Sequence, residues 1–446
     1  MLPLLAVVPW LLTAFGTMAG FVAGLLAKKG GRKIFLGVLA LSFVSLGAAA
    51  YLFWPKVTLK YVDDGSRLRP RDRLPTTETL GSTAGEREQP APSGAAWDTW
   101  RPLWSTNTPR RALSDVAYAL DLVMVGTWEG TVDAYSAATG KPVWSLKKKE
   151  PVIALTPGLN VVFAGEGVHT SEISALTAIN VADGRALWSR EFNGHLESAG
   201  YLGGKDSQEL LYMGAGPAGF YCIRTGNGEI LWKRSGLHVD SRPLVIDDTV
   251  YFAGQEVEGA EKSIFLALNA STGAERWRID LLGMPWGSPL YDSGREQILI
   301  TSGVGQIGLR RNTDKGWAHA ISLKDRQIRW TRPLSGMPLE KSIFFAGPDL
   351  YLVTTTNGET VALRAENGSV AWDEKLDADI VADLSLDLRN GHVLSLDVNG
   401  KLRVRNALTG AYVDEHTFSP GANSGPSPRP DGIVLALPRT IARYRW

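Results

Sequence analysis

Cysteine is almost missing from this chain: Cys222 stands alone among 446 residues. An internal disulfide is therefore excluded, and in an oxidising compartment a lone thiol is best buried. Its surroundings, Phe220-Tyr-Cys-Ile223, read as a buried strand. An excess of charge of one sign is missing too. Lys and Arg total 47 against 46 Asp and Glu, for a net charge of +1, which excludes a strong generic pull toward nucleic acid or anionic lipid. No long run in residues 105–446 keeps a clean 3.6-residue apolar period, so helix is not expected there. The six histidines, His169, His195, His238, His319, His392 and His416, are scattered and show no His-x₃-His or Cys/His ligand spacing. Each reads as a polar turn or strand residue. Asp397-Val-Asn-Gly400 looks like the start of a calcium loop but lacks the later glutamate. It matches the turn that precedes a third strand elsewhere, as in Trp128-Glu-Gly130 and Thr356-Asn-Gly358. No Gly-x-Ser-x-Gly or phosphate-binding glycine loop is evident. The residues nominate no catalytic group, no cofactor site and no metal ligand.

What the chain does have is a repeat. Turns such as Asp133-Ala-Tyr-Ser-Ala-Ala-Thr-Gly140 and Asn269-Ala-Ser-Thr-Gly273 are each followed four residues later by tryptophan. The tryptophans are Trp144, Trp188, Trp232, Trp277, Trp330 and Trp372, at intervals of 44, 44, 45, 53 and 42 residues. A fixed period of this size marks a propeller or solenoid. In the third unit, Glu209–Met213 and Phe220–Ile223 are short apolar runs joined by glycine-rich turn material, and a further strand begins at Ile230. Strands separated by such turns form hairpins, and close to four strands in about 44 residues is blade size. One tryptophan at one spot per blade docks each sheet on its neighbour. Full burial of an indole contributes up to about 4–6 kcal/mol.

The period extends both ways. Forward, Asn406-Ala-Leu-Thr-Gly410 repeats the turn with Asp414 in the tryptophan position; backward, it lands on Trp104. That makes eight slots. Trp104 has no blade before it, and the chain beyond 414 holds strands without a slot. We therefore expect an all-β, eight-bladed propeller of four-stranded antiparallel blades over residues 99–446. Its closing blade is composite, with outer strand 100–105 and the other strands from about residue 415 to Trp446. Ring closure by both termini leaves no unpaired end blade.

The Asp/Asn-x-x-Thr-Gly-x-x-x-Trp turn resembles the tryptophan-docking repeat of the PQQ-like (quinoprotein-type) β-propellers. In size and blade count the chain resembles the BamB family among them, across residues 99–446. That resemblance implies a protein-interaction scaffold rather than an enzyme. The quinoprotein dehydrogenases that share the fold are much longer and often carry adjacent cysteines beside PQQ, with a Glu/Asn/Asp calcium set. One cysteine cannot form that pair, and the blade loops are mostly short, so neither PQQ nor calcium is expected. The lipid-modified N-terminal cysteine of the BamB family also has no counterpart.

Anchorage is expected instead from two uncharged segments, residues 2–27 and 34–54. As helices they span about 39 Å and about 32 Å, enough for a bilayer core. Lys28-Lys-Gly-Gly-Arg-Lys33 between them places that loop in the cytoplasm and both ends outside. Trp10, Tyr51 and Trp54 suit interfacial anchors. A cleavable signal peptide fits less well, because the start has no basic region and the apolar run is too long. Gly16, Gly20 and Gly24 form one smooth face for close helix packing, against the second span or another subunit. Residues 56–98, with Pro70, Pro75, Pro90 and Pro92, read as a loose linker reaching roughly 35–40 Å.

The longest repeat carries its excess near 303–316, where Arg310, Arg311 and Lys315 make a basic insertion. Such insertions project from one face of the ring, and this one suits an acidic partner. The expected protein is thus a propeller on the outer face of the cytoplasmic membrane, binding an envelope or membrane protein. The alternatives are a sensory or redox subunit with a ligand in the central channel, near Asp240-Ser-Arg242 and Ser288, and a relative of the PQQ dehydrogenases.

Overall fold

The computed structural model describes residues 100–446, except 205–207, 257–261, 306–313, 377, 381, 419–423, 430 and 446. Within them the strands assemble into eight four-stranded antiparallel sheets, as the repeat count requires. Blade 1 runs Ala117–Ala119, Leu122–Gly126, Thr131–Ser136 and Pro142–Lys147. Blades 2 to 4 extend from Val152–Pro157 to Ala186–Phe192, from Tyr201–Gly203 to Ile230–Arg234, and from Leu244–Ile246 to Glu275–Leu282. Blades 5 to 7 extend from Leu290–Asp292 to Gln327–Leu334, from Ile343–Phe345 to Val370–Lys375, and from Ser385–Asp387 to Tyr412–Thr417.

Blade 8 is composite. Ser427–Arg429, Gly432–Leu437 and Thr440–Arg445 come from the C-terminal end, and Pro102–Asn107 from the other end of the ring pairs with the last of them. The outer strand begins two residues later than expected. Trp100 is released from it for another task.

Apolar clusters bridge every neighbouring pair of blades. One joins Met124 and Val132 of blade 1 to Val162 and Ile179 of blade 2. Another joins Leu394 and Val404 of blade 7 to Ile433 and Leu435 of blade 8. A third closes the ring, bringing Val434 and Ile441 of blade 8 against Val123 and Tyr135 of blade 1.

The tryptophans stand where these clusters reach the rim. The indole N–H of Trp104 donates to the Ala137 carbonyl of the next blade at 2.9 Å. Trp144, Trp188, Trp232, Trp330 and Trp372 repeat this bond to Val181, Thr225, Ala270, Ala365 and Ala407. The acceptor is always three residues before the turn glycine, and the ring lies on that glycine. A Cβ at Gly140 would sit 2.4 Å from Cε3 of Trp104, and its φ of +67° disfavours any other residue. In blade 5 the glycine position is taken by Arg326 at φ +57°, and Trp277 packs on Tyr251 and Phe265 of its own blade.

Only Trp104 and Trp372 of the seven are buried; the others are half-buried. The stabilisation per indole therefore falls below the full-burial figure, because one edge stays in water.

Ten residues before each of the six tryptophans from Trp144 to Trp372 the sequence places a small residue directly opposite it on the third strand. These are Ala134, Ala178, Cys222, Ala267, Ala320 and Ala362, and the ladder shifts register immediately beyond each pair. A small side chain beneath the indole lets the neighbouring sheet close in. Cys222 is one of this set, which explains its complete burial. Burial pushes its thiol up to about 12, only partly offset by the Tyr212 hydroxyl.

Blade 7 has Asp414 in the tryptophan position, opposite Val404. The missing indole arrives from Trp100. It stacks on His416 at 4.9 Å, meets Phe418 and Tyr444 edge-on, and donates its N–H to Asp414 Oδ2 at 3.2 Å. Trp100 holds φ +39° to do so. Trp100 and Trp104 thus lock the two sides of the composite blade.

Among the described residues no helix is long and apolar enough to cross a membrane. The two expected spans, the Gly16/Gly20/Gly24 face and the 56–98 linker lie outside the described residues.

The docking pair can be tested by a double-mutant cycle in urea. Trp104→Ala is expected to cost about 3–5 kcal/mol. Gly140→Ala alone should also destabilise, and the two together should cost clearly less than their sum, because the added methyl no longer meets a ring. Additive losses would show that ring and turn do not touch.

A second test concerns His319 in blade 5, buried and bonded to Ser302 and Thr331 at 3.1 and 3.0 Å. Burial lowers its pKa from 6.5 to about 4. The unfolded imidazole takes a proton first as pH falls, so this contribution is complete above pH 6.5 and is lost toward pH 4. It amounts to at most about 3 kcal/mol. His319→Gln is expected to flatten the stability profile over that window in denaturant titrations at stepped pH.

Candidate functional site

In each meander, strands alternate in direction. The loop from second to third strand and the linker from the outer strand to the next blade therefore emerge on the same face. That face gathers the polar side chains. His169 lies in the second-to-third loop of blade 2, His195 and Glu197 in the linker from blade 2 to blade 3, and His238 and Asp240 in the linker from blade 3 to blade 4. One ligand atom from each of His169, His195, His238 and Asp240 lies within 4.8 Å of all the others.

The set is held from several directions. His195 Nε2 is 3.1 Å from Asp240 Oδ1, and His238 Nε2 is 2.7 Å from Asp240 Oδ2. The rings of His169 and His195 lie 4.9 Å apart, and those of His195 and His238 5.3 Å apart. Backbone bonds between His238 and Gln255 and between Val239 and Gly216 pin the linker. Gly216 has φ +51°, and a Cβ there would lie 2.6 Å from His195 Nε2, so the close approach of this strand end requires glycine. The Ser198 hydroxyl donates to the Asp240 carbonyl. His195 and His238 are buried, Asp240 half-buried and His169 exposed.

The electrostatics follow from this packing. Burial pushes Asp240 up, but hydrogen bonds with the two histidines outweigh it and hold the carboxyl below its usual range. Glu197 moves the other way. Burial and the neighbouring Asp240 charge push it up to about 7, against the pull of His195 and a backbone hydrogen bond at His169. Three imidazoles and a carboxylate form a nitrogen-rich donor set of the kind that suits divalent transition metals.

The histidines read as polar turn or strand residues; His169, His195 and His238 do lie in loops and linkers, and the ring brings them together, which the sequence reading does not foresee. The signal lay in the repeat. His195 and His238 are 43 residues apart, one blade period. Spacing tests built for a single helix or hairpin do not detect ligands that come side by side through a 44-residue period. For Asp397 the sequence reading holds. Its Oδ1 accepts the N–H groups of Asn399 and Lys401 and its Oδ2 pairs with Arg403 at 2.9 Å, as in a turn.

The residues nominated for the central channel are engaged by other groups: Asp240 by the two histidines, Arg242 and Ser288 by Glu340. Arg242 Nε, before blade 4, donates to Glu340 Oε1, before blade 6, at 2.6 Å. Blades 4 and 6 are not neighbours, so this pair passes in front of blade 5, where the Ser288 N–H donates to the Glu340 carbonyl at 2.7 Å. The Lys341 N–H donates to Asp383 Oδ1, and Gly425 N–H to Asp115 Oδ1, each at 3.1 Å. Burial first, then the charges of Asp115 and Glu340, raise Asp383 above the usual carboxylate range. This belt ties six linkers across the mouth of the axis.

The basic insertion also opens on the loop face, between the second and third strands of blade 5. Its base is fixed by the pairing of Val304 with Lys315, which is exposed. Arg310 and Arg311 lie outside the described residues.

A family model described as outer membrane protein assembly factor BamB matches residues 92–279 and 314–423. The protein of that name from Burkholderia pseudomallei is 22% identical over 269 residues, covering 57% of this chain and 65% of that protein. The match thus spans just under two thirds of that relative's length. The Yersinia pestis protein of the same name is 23% identical over 332 residues, covering 69% of this chain and 77% of that protein. Among solved structures, BamB from Moraxella catarrhalis superposes with a TM-score of 0.58 at 16% identity, over 77% of this chain and 98% of that one.

The axial belt generates a prediction. Arg242→Met leaves Glu340 without this guanidinium and is expected to cost about 3 kcal/mol, read as a lower urea midpoint. A cost below about 0.5 kcal/mol would mean the belt does not close the mouth.

Proposed function

The chain belongs to the family of the outer membrane protein assembly factor BamB, and from that membership we propose that it is a non-enzymatic docking scaffold for outer-membrane protein assembly. The observation that carries this reading is the family match on both sides of the blade 5 insertion, over most of the ring. A rigid ring with short loops offers exposed strand edges and a broad loop face, which suit strand addition or loop docking by another protein. The engaged axial belt argues for binding on that face rather than in a channel, and the single cysteine argues against the quinoprotein chemistry of longer relatives.

In this proposal the propeller is tethered rather than free. The uncharged segments 2–27 and 34–54, with four basic residues between them, form a hairpin in the cytoplasmic membrane, and residues 56–98 give the ring local reach on the outer side. Gly16, Gly20 and Gly24 pack that hairpin internally or on a second subunit. The basic insertion with Arg310, Arg311 and Lys315 meets an acidic surface of the envelope partner.

Affinity purification of the full chain from detergent-solubilised membranes tests both parts. Recovery of outer-membrane assembly components is expected, and Arg310→Glu with Arg311→Glu should reduce it by roughly 10-fold or more, as loss of complementary charge at an interface does. Purification that retains no envelope protein would refute the scaffold. Unchanged recovery with the charge-reversed pair would refute the role of the insertion. Dye reduction that depends on PQQ and calcium would refute the non-enzymatic reading.

A further inference from the structure

We propose that His169, His195, His238 and Asp240 form a binding site for one divalent transition-metal ion of the zinc class, which staples blades 2, 3 and 4 together on the loop face. Three observations lead there. The donor atoms come from three separate chain segments yet lie within 4.8 Å of one another. A tetrahedral zinc ion places its ligand atoms about 3.3–3.5 Å apart, so the four donors need to move by about 1 Å or less to enclose one.

Next, the two buried histidines are not accidental neighbours. They occupy matching places in successive linkers and both address the same carboxylate, one to each oxygen, at 3.1 and 2.7 Å. Polar side chains so deeply buried need partners, and His195 reaches this one only because Gly216 leaves room beside its Nε2.

Finally, the composition of the set chooses the ion. Imidazole nitrogens suit Zn²⁺, Co²⁺, Ni²⁺ and Cu²⁺, whereas Mg²⁺ and Ca²⁺ prefer all-oxygen cages. Binding replaces the two histidine–carboxylate hydrogen bonds by coordination. His169 is exposed and sits on a loop, so it serves as the closing ligand, while the two buried histidines and Asp240 form the fixed floor.

A staple here would act on three connections of the ring at once. The linkers before blades 3 and 4 run from Phe192 to Tyr201 and from Arg234 to Leu244, and the blade 2 loop from Glu166 to Ser174. One ion would fix all three relative to one another. The site stands whether or not the ring is an assembly scaffold, because its test reads metal and not partner.

The experiment uses the full chain, solubilised in detergent, carrying no histidine tag and stripped with a chelator. Titration with Co²⁺ is expected to give one equivalent bound, with the visible absorption of a tetrahedral ion, displaced by Zn²⁺, and Zn²⁺ should raise the melting temperature. His195→Gln with His238→Gln should weaken Co²⁺ binding by more than about 100-fold, beyond what loss of an outer-shell partner causes. His392→Gln, remote in blade 7, should leave binding unchanged. Because the double variant removes buried groups, His169→Gln on the exposed loop provides the companion test, with native circular dichroism and at least about 10-fold weaker binding. Absence of saturable one-to-one binding would overturn the proposal, as would wild-type affinity in the folded His169→Gln protein or in the double variant.

Discussion

The contact between an indole on one blade and a glycine turn on the next is the constraint on which this ring depends. It combines three requirements in one place. The turn must reach positive φ, its surface must be bare enough to seat a ring, and a carbonyl must point at the indole N–H. Glycine meets the first two, and the residue three positions earlier supplies the third. The small residue ten positions before each tryptophan from Trp144 to Trp372 completes the arrangement by allowing the sheets to approach. Because six of the eight blade interfaces repeat this unit, the ring tolerates exceptions. Arg326 replaces a glycine and Asp414 replaces an indole without changing the number of sheets.

The exception at Asp414 shows how closure is achieved. A propeller must join its first and last strands, and here the joint lies inside one sheet. Pro102–Asn107 adds the outer strand to blade 8, but one strand secures only one side of a blade. Trp104 secures the side facing blade 1, and Trp100, four residues earlier, secures the side facing blade 7. Two tryptophans in one short segment thus do for the composite blade what a tryptophan and a turn do for each sequential one. Trp100 adopts a backbone conformation unusual for its type because stacking on His416 and the bond to Asp414 hold it there.

The fold was legible because its signal is local. A turn, a tryptophan and the interval between them all fall within a short stretch of sequence, and so does the apolar run of each buried strand. Blade number, composite closure and the burial of Cys222 follow from such runs. The exact ends of the outer strand did not, since Arg101 and Pro102 look alike for either purpose and only the docking of Trp100 decides where pairing starts. The donor cluster was illegible for a different reason. His169, His195, His238 and Asp240 are brought together by the curvature of the ring, so their spacing in sequence is that of the blades and not of any ligand motif. The axial belt hides in the same way. Arg242 and Glu340 lie 98 residues apart and meet across blade 5.

These two long-range clusters divide the ring between them. The belt of Arg242, Glu340, Lys341 and Asp383 occupies the axis, where the innermost strands of neighbouring blades converge. Groups satisfied by one another in that position have little capacity left for a ligand, and breaking one pair would strand a buried charge. The histidine set, on blades 2 to 4, and the base of the blade 5 insertion both lie on the loop face. A partner broad enough to cover that face would meet a basic projection from blade 5 and the metal-ligating edge of blades 2 to 4 together. Recognition would then rest on features that the blade repeat itself does not carry, which is how one rigid ring can serve different partners: the interval between tryptophans fixes the platform, and the residues in the linkers and the one long hairpin fix what it holds.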